Sequence, residues 1–248
     1  MFFYGWQKIS LIEWPGKIST VLFVGGCNFR CPFCYNRDLV LNCQKLPKIS
    51  EEEILKFLKS RKGLLDGVMI TGGEPLAFGE KSQTINPKSQ NDLIDFIKKV
   101  KELGFLVGIE TNGSNPEALQ QLIKEKLINY VAMDFKAPIG AKSQISKYQK
   151  LTGVEVDLGR IKKSIELIKH SGLEYEFRTT VAPLLSEADI LEIAEELKGV
   201  KKYVFHVFQP VDNLINPKLA KMKFFSHEEL EEIAQRIKDN FEKIEIRN

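Results

Sequence analysis

Three cysteines lie within eight residues of one another, at Cys27, Cys31 and Cys34. In a chain of 248 residues with four cysteines in all, this grouping indicates metal binding or catalysis rather than a disulfide framework. Thiolates are the natural ligands of iron–sulfur clusters. A cubane normally takes four protein ligands, so a group of three would leave one iron open to a ligand from outside the protein.

Two other interpretations of these cysteines remain open. Their spacing would place them on one face of a helix as buried apolar residues, although Gly25, Gly26 and Pro32 disfavour a helix there. A structural zinc site usually takes four ligands, often in paired C-x₂-C units. The only other thiol is Cys43, which we interpret as an incidental residue rather than a ligand.

The elements that must position these cysteines alternate between apolar, β-branched runs and amphipathic helical patterns. Predicted strands cover residues 18–24, 67–71, 105–110, 130–133, 174–181 and 203–208. Predicted helices cover residues 50–62, 92–103, 116–126, 157–170, 186–197 and 227–240. This alternation predicts an α/β fold with parallel strands, an open, partial TIM-type barrel of about six βα units. We expect one domain over residues 1–248, with loops at 77–90 and 136–156 and a short helix near 143–151.

The composition is that of an ordinary globular protein, with 43% hydrophobic and 28% charged residues. With 36 basic and 33 acidic residues, the net charge of +3 does not favour nucleic acid or an acidic membrane as a partner. No window approaches the roughly 18 apolar residues that a membrane-spanning helix requires. The first residues, MFFYGWQKIS, lack the pattern of a signal peptide, so a cytoplasmic location is expected.

The segment CNFRCPFC matches the C-x₃-C-x₂-C pattern of the radical S-adenosylmethionine superfamily, including the aromatic Phe33 before the last cysteine. The wider segment WPGKISTVLFVGGCNFRCPFCYN resembles the glycyl-radical-enzyme activating enzymes. Among these it is most similar to the anaerobic ribonucleoside-triphosphate reductase activating proteins. The resemblance implies that the loop at residues 25–36 holds a [4Fe–4S] cluster through its three cysteines. It also implies that the amino and carboxylate groups of S-adenosylmethionine bind the open iron.

Further candidate cofactor residues stand where other strands end, which is the working edge of such folds. Gly72, Gly73 and Glu74 resemble the family motif that binds the methionine amino group, although a plain Gly-Pro turn is the alternative. By the same resemblance, Glu110 and Asn112 face the cofactor, and a monovalent cation is possible in this region.

Two further strands end in charged residues. Asp134 and Lys136 resemble the family's D-L-K motif, in which the lysine supplies a cation for the cofactor carboxylate; an exposed charge pair is the alternative. Arg178 interrupts an apolar strand and resembles an arginine of the activating enzymes that faces the barrel mouth; a pair with a surface carboxylate is the alternative.

Aromatic residues and a histidine complete the set of candidates. His206, with Gln209 beside it, is a weaker candidate for contacting adenosine, because a lone histidine in an apolar strand is more often a core residue. Phe33 and Tyr35 are candidates for stacking on adenine or for shielding the cluster from water.

The resemblance implies that the enzyme reductively cleaves S-adenosylmethionine and abstracts hydrogen from a glycine of a partner glycyl-radical enzyme. It implies a low-potential electron donor such as flavodoxin or ferredoxin, and no nucleic-acid or membrane partner. With four cysteines, the chain has no ligands for a second four-thiolate cluster. Two alternatives remain: a small-molecule enzyme similar to 7-carboxy-7-deazaguanine synthase, and a non-catalytic metal-binding module.

Overall fold

The computed structural model describes residues 1–78, 90–140 and 142–248. Its strands are β1 Phe2–Phe3, β2 Gly5–Ser10, β3 Ser19–Val24, β4 Ile49–Ser50, β5 Gly67–Gly72, β6 Leu106–Thr111, β7 Tyr130–Asp134, β8 Glu174–Val181, β9 Lys202–Val207 and β10 Lys243–Arg247. Its helices are α1 Arg37–Leu41, α2 Glu51–Lys59, α3 Gln90–Glu102, α4 Pro116–Lys124, α5 Lys142–Thr152, α6 Leu158–Lys169, α7 Glu187–Glu196 and α8 His227–Ile237.

The main sheet contains eight strands in the order β10-β9-β8-β7-β6-β5-β3-β2. Seven of them run parallel, from β3 to β10, and β2 pairs antiparallel with β3. Within the described ranges, β2 and β10 do not pair with each other, so the sheet stays open. The predicted α/β open barrel with parallel strands is therefore confirmed, and all six predicted strands are present.

Two strands of the main sheet, β2 and β10, were not predicted. β10 has the sequence KIEIR, in which only two residues are apolar and the charged residues alternate with them. Such a pattern is typical of a solvent-facing strand. The strand is nevertheless partly buried, because its charged side chains pair with residues of the barrel interior.

The helix termini agree with the sequence signals. Ser50 caps α2, and its hydroxyl accepts a hydrogen bond from the Glu53 amide at 3.2 Å. The predicted short helix near 143–151 is α5, and the predicted helix at 227–240 ends earlier, at Ile237. Most of the predicted loop at 77–90 lies outside the described residues.

Apolar side chains fill the space between the helices and the sheet, and a second, smaller cluster lies apart from this core. In that cluster the Trp14 ring, from the loop between β2 and β3, stacks on Tyr130 with ring centroids 5.2 Å apart. A side-chain carbon added at Gly67, the first residue of β5, would lie 2.9 Å from the Trp14 ring. Trp14 therefore plugs the barrel near the amino ends of its strands. No helix within the described part of the chain combines the length and the apolar character needed to cross a membrane.

Replacing Trp14 with alanine should destabilise the barrel, because the ring is 1% exposed and its loss leaves a cavity. We expect the free energy of unfolding to fall by about 3–5 kcal/mol, measured by urea denaturation. Ile12→Ala is the matched control: the residue lies in the same loop, is 71% exposed and should change stability little. Equal losses in the two variants would contradict the role of Trp14 as a plug.

Candidate active site

The cysteine loop follows β3 and rests on the end of the neighbouring strand β5. The Glu74 amide donates to the Gly26 carbonyl at 3.0 Å, and the Gly73 amide donates to the Val24 carbonyl at 3.0 Å. A side-chain carbon added at Gly73 would lie 1.7 Å from the Gly26 carbonyl oxygen. Gly73 is therefore required by contact between two backbones, whatever else it binds.

The far side of the loop is held by segments that come much later in the chain. The Arg30 amide donates to the Thr152 carbonyl at the end of α5, at 2.7 Å. The Asn216 amide donates to the Pro32 carbonyl at 2.8 Å. Gly153, with φ +71°, lets the backbone pass the Arg30 carbonyl oxygen, which a side-chain carbon would approach to 2.4 Å. The loop is thus fixed on both sides by backbone hydrogen bonds.

The loop forms one wall of a cavity of about 350 Å³ at the carboxyl ends of the parallel strands. Of the fifteen residues that the sequence nominated, all but Gln209 line this cavity: Cys27, Cys31, Phe33, Cys34, Tyr35, Gly72, Gly73, Glu74, Glu110, Asn112, Asp134, Lys136, Arg178 and His206. The structure brings them together, and what each one binds stays a prediction.

Several lining residues were not nominated. Glu13 comes from the loop that carries Trp14, where no strand pattern pointed to a site. Thr180 lies two residues after Arg178 on β8, so the two-residue period of a strand could have found it. Thr71 precedes the glycines of β5, and Phe29 lies inside the cysteine loop.

The thiols are buried: Cys27 and Cys31 are each 8% exposed. Burial raises the pKa of all three thiols, and that of Cys31 to about 12, although the Lys136 ammonium opposes the shift. Because metal ligands must be thiolates, cluster binding here releases protons. Within the described ranges, no three His, Cys, Asp or Glu side chains are grouped to hold a single metal ion. Ligands of a cubane bind separate irons and need not converge on one point.

The ammonium of Lys136 lies among these thiols. Its Nζ is 2.7 Å from Asp134 Oδ2 and 5.7 Å from the centre of the Phe33 ring. Burial alone would lower the pKa of Lys136, but the Asp134 carboxylate outweighs burial and the pKa is raised. Lys136 is therefore a fixed positive charge in the cavity wall, available to a carboxylate ligand.

Glu74 braces two strand ends. Its carboxylate accepts hydrogen bonds from the Thr111 hydroxyl at 2.7 Å, the Asn112 amide at 2.6 Å and the Leu76 amide at 3.1 Å. Burial raises its pKa to about 7, against the lowering effect of these donors. Both oxygens are engaged within the protein, so Glu74 ties the end of β5 to the end of β6. Its predicted contact with an amino group stays a prediction.

Glu110 and Asn112 are also engaged by protein groups. The Glu110 carboxylate accepts hydrogen bonds from the Thr71 hydroxyl, at 2.5 Å, and from Arg178 Nη1. Asn112 Nδ2 donates to Asn28 Oδ1 at 2.9 Å, inside the cysteine loop. The monovalent cation expected in this region stays a prediction.

Arg178 belongs to a buried chain of charges. Its Nε donates to Glu176 Oε1 at 2.5 Å, and Arg247 donates to both Glu176 oxygens at 2.7 and 2.9 Å. Burial alone would raise the pKa of Glu176, but the hydrogen bonds from Arg247 and the charge of Arg178 bring it to about 2. Glu176 is therefore a carboxylate at neutral pH.

The aromatic candidates belong to the cysteine loop itself, and His206 lines the cavity from β9. Tyr35 is 37% exposed, and its hydroxyl accepts a hydrogen bond from the Gln209 amide at 2.7 Å. Its ring packs near Phe208, with centroids 6.4 Å apart. Burial, together with the charge of Arg178, lowers the pKa of His206 to about 4. His206 is therefore neutral at physiological pH. Gln209 does not itself line the cavity.

An open, mostly parallel α/β barrel whose first parallel strand leads into a loop with three cysteines has the arrangement of a barrel enzyme that binds an iron–sulfur cluster. Residues 21–197 match the family model described as the radical SAM superfamily. The chain belongs to the radical SAM superfamily, and it therefore uses a [4Fe–4S] cluster and S-adenosylmethionine.

Three relatives are similar to this chain over different shares of its length. A Methanocaldococcus jannaschii protein named as a glycyl-radical enzyme activating enzyme is 32% identical over 98% of this chain and 94% of its own length. The pyruvate formate-lyase-activating enzyme of Clostridium pasteurianum is 26% identical over 79% of this chain and 75% of its own length. The anaerobic ribonucleoside-triphosphate reductase-activating protein of Escherichia coli is 26% identical over 41% of this chain and 60% of its own length.

Solved structures agree with the fold. Streptococcus suis SuiB bound to S-adenosylmethionine superposes with a TM-score of 0.67 at 14% identity and covers 92% of this chain. The chain spans about half the length of SuiB, 50%, and at this identity the likeness concerns the fold alone.

Gly73→Ala tests the backbone contact on which the cysteine loop rests. The added methyl group would collide with the Gly26 carbonyl, so we expect a loss of about 1–3 kcal/mol in the free energy of unfolding. The displaced loop should also retain less iron after anaerobic reconstitution, measured by colorimetric assay. Gly159→Ala in α6, whose new carbon meets only the Asp157 side chain, is the control and should keep both values. If Gly73→Ala keeps its full iron content and its stability, the position of the cysteine loop does not depend on this backbone contact.

Glu176→Gln tests the buried carboxylate through pH. The pKa of Glu176 is about 2 in the folded protein and 4.5 in the unfolded chain, so its stabilisation is present above pH 4.5 and is lost as pH falls toward 2. The variant should lose about 3–5 kcal/mol at pH 7, because two arginines lose a charged partner. That deficit should shrink between pH 4.5 and 3 in urea titrations of the cluster-free protein. A deficit independent of pH, or one matched by the exposed Glu52→Gln, would exclude this ion pair as its source.

Proposed function

We propose that this chain is a glycyl-radical enzyme activating enzyme, whose substrate is a glycine of a partner protein, and that the partner is an anaerobic ribonucleoside-triphosphate reductase. The observation that carries the proposal is the convergence of three cysteines and eleven further nominated residues on one cavity at the strand ends. At about 350 Å³, the cavity is within the range of small-ligand sites. It suits a nucleoside cofactor, so a protein substrate has to present its glycine at the mouth.

The donor set fits an iron–sulfur cluster with an external ligand. Cys27, Cys31 and Cys34 would hold the cluster as thiolates, and Lys136 would face the cofactor carboxylate. Once bound, the cluster and S-adenosylmethionine supply reductive cleavage and a carbon radical that takes a hydrogen atom. The chain contributes position, charge and exclusion of water.

Each contribution comes from a different strand end. Gly72 and Gly73 line the cavity with backbone, and because neither has a side chain the end of β3 and the cysteine loop pack directly against them. Arg178 brings a positive charge that Glu110 and Glu176 hold in place. Phe33, which is 3% exposed, keeps water from the cysteine loop. Excluding water strengthens the electrostatic contacts and protects a reactive intermediate.

Similarity over nearly the whole chain to a protein named as an activating enzyme supports the general class. The choice of the reductase as partner rests on the resemblance of the cysteine segment and on a relative that matches 41% of the chain. A low-potential donor such as flavodoxin or ferredoxin completes the proposal, because the cluster has to receive one electron from outside the chain.

The test is anaerobic mixing with a partner. Reconstituted protein, reductant and S-adenosylmethionine, incubated with anaerobic ribonucleoside-triphosphate reductase, should leave a long-lived glycine-centred radical seen by electron paramagnetic resonance. A parallel incubation with pyruvate formate-lyase tests the choice of partner. A glycine radical on that enzyme and none on the reductase would show that the reductase is not the partner. Cleavage to 5′-deoxyadenosine with no radical on either protein would favour a small-molecule substrate.

Matched cysteine variants show whether the cluster is responsible. Cys31→Ala should abolish both the glycine radical and 5′-deoxyadenosine formation, because the cavity loses a cluster ligand. Cys43→Ala, buried beside Gly25 but outside the cavity lining, should retain both activities. A Cys31→Ala protein that still assembles a full cluster and forms the radical would overturn the assignment.

A further inference from the structure

Arg247, near the end of β10, reaches into the barrel interior across an intervening strand. β10 pairs with β9, where Arg247 stands opposite His206, and β9 separates it from β8. Even so, the Arg247 guanidinium makes a two-point contact with Glu176 of β8, at 2.7 and 2.9 Å. Such planar, charge-assisted pairs fix direction as well as distance.

The same carboxylate fixes Arg178. Glu176 Oε1 accepts from Arg178 Nε, Glu110 accepts from Arg178 Nη1, and the Glu13 carbonyl accepts from Arg178 Nη2 at 3.2 Å. Arg178 is 3% exposed, and it lines the cofactor cavity. Each of its three nitrogens therefore has a protein partner, and the orientation of the guanidinium depends on where those partners stand.

Arg247 determines where Glu176 stands. The Glu176 side chain is fully buried, and Lys202 is its third cationic partner, at 3.2 Å from Oε2. With Arg247 in place, Arg178 shares only one Glu176 oxygen. Without Arg247, Arg178 can turn to take both oxygens, since arginine and carboxylate favour a two-point pair. That turn would pull its guanidinium away from Glu110, at the end of β6.

We propose that Arg247 is a positioning residue, which holds Glu176 so that Arg178 keeps its orientation toward the S-adenosylmethionine cavity. The inference rests on the proposed function only in taking Arg178 as a cofactor contact. It makes β10 part of the cofactor site, although no residue of β10 lines the cavity.

The test is the dissociation constant for S-adenosylmethionine, measured by anaerobic calorimetry on reconstituted protein. Arg247→Met should weaken binding about tenfold, equivalent to about 1.4 kcal/mol. Arg247→Lys keeps the charge but not the two-point contact, and should fall between Arg247→Met and the unchanged protein. Lys243→Met is the matched control: Lys243 lies on the same strand, its side chain is 63% exposed, and it pairs with Glu245, which also accepts from Arg247 Nη2 at 2.7 Å, so the control removes a Glu245 partner and leaves the pair of Arg247 with Glu176. It should bind as the unchanged protein does.

Iron content and urea unfolding, measured on the same samples, separate positioning from stability. A purely structural role would lower the unfolding free energy and the fraction of molecules that bind, while the dissociation constant of the remainder stayed the same; that result overturns the proposal. Unchanged affinity in Arg178→Lys would also overturn it, because Arg178 would then not contact the cofactor. If the affinity for S-adenosylmethionine depends on Arg247 as expected but no partner protein acquires a glycine radical, the activating function is contradicted and the positioning role of Arg247 stands.

Discussion

The contact between the cysteine loop and the end of β5 is the constraint on which the site depends. Three thiols can serve one cluster only if the loop that carries them keeps a single shape. That shape is set by the Gly26 carbonyl, which accepts a hydrogen bond from the Glu74 amide while Gly73 lies directly against it. Since Glu74 also binds the end of β6 through Asn112, the glycine-rich turn joins three strand ends into one rigid edge.

Charge inside the barrel follows from the same geometry. A parallel barrel brings side chains from alternate strands to one interior, so Glu110, Glu176 and Arg178 meet although they come from different parts of the chain. Buried charges are tolerated when they are paired and hydrogen-bonded. Here each carboxylate has a cationic partner, and the arginine is held on more than one side. The result is an arginine whose guanidinium is held in one orientation at the cavity wall before any ligand binds.

Local sequence patterns were enough to predict six of the seven parallel strands, the cysteine loop and the candidate residues at the strand ends, because each depends on a few consecutive residues. The partners of those residues were not predictable. Glu13 lies in a loop with no periodic pattern, and the KIEIR segment of β10 contains too few apolar residues to indicate a strand. Which carboxylate meets which arginine depends on strand order and register, and pairs 68 or 71 residues apart in sequence leave no local signal.

The barrel interior is therefore divided along its axis. At the amino ends of the strands, Trp14 and its neighbours form an apolar plug. Above the plug, the ion pairs of Arg178 and Glu176 occupy the middle. At the carboxyl ends lies the cavity with its thiols. Because Glu13 directly precedes Trp14, the plug and the Arg178 contacts are carried by the same loop. The packing of Trp14 at the amino ends of the strands and the contact of Glu13 with Arg178 are thus coupled through one loop. A substitution that displaces Trp14 should also displace the Glu13 carbonyl that accepts from Arg178.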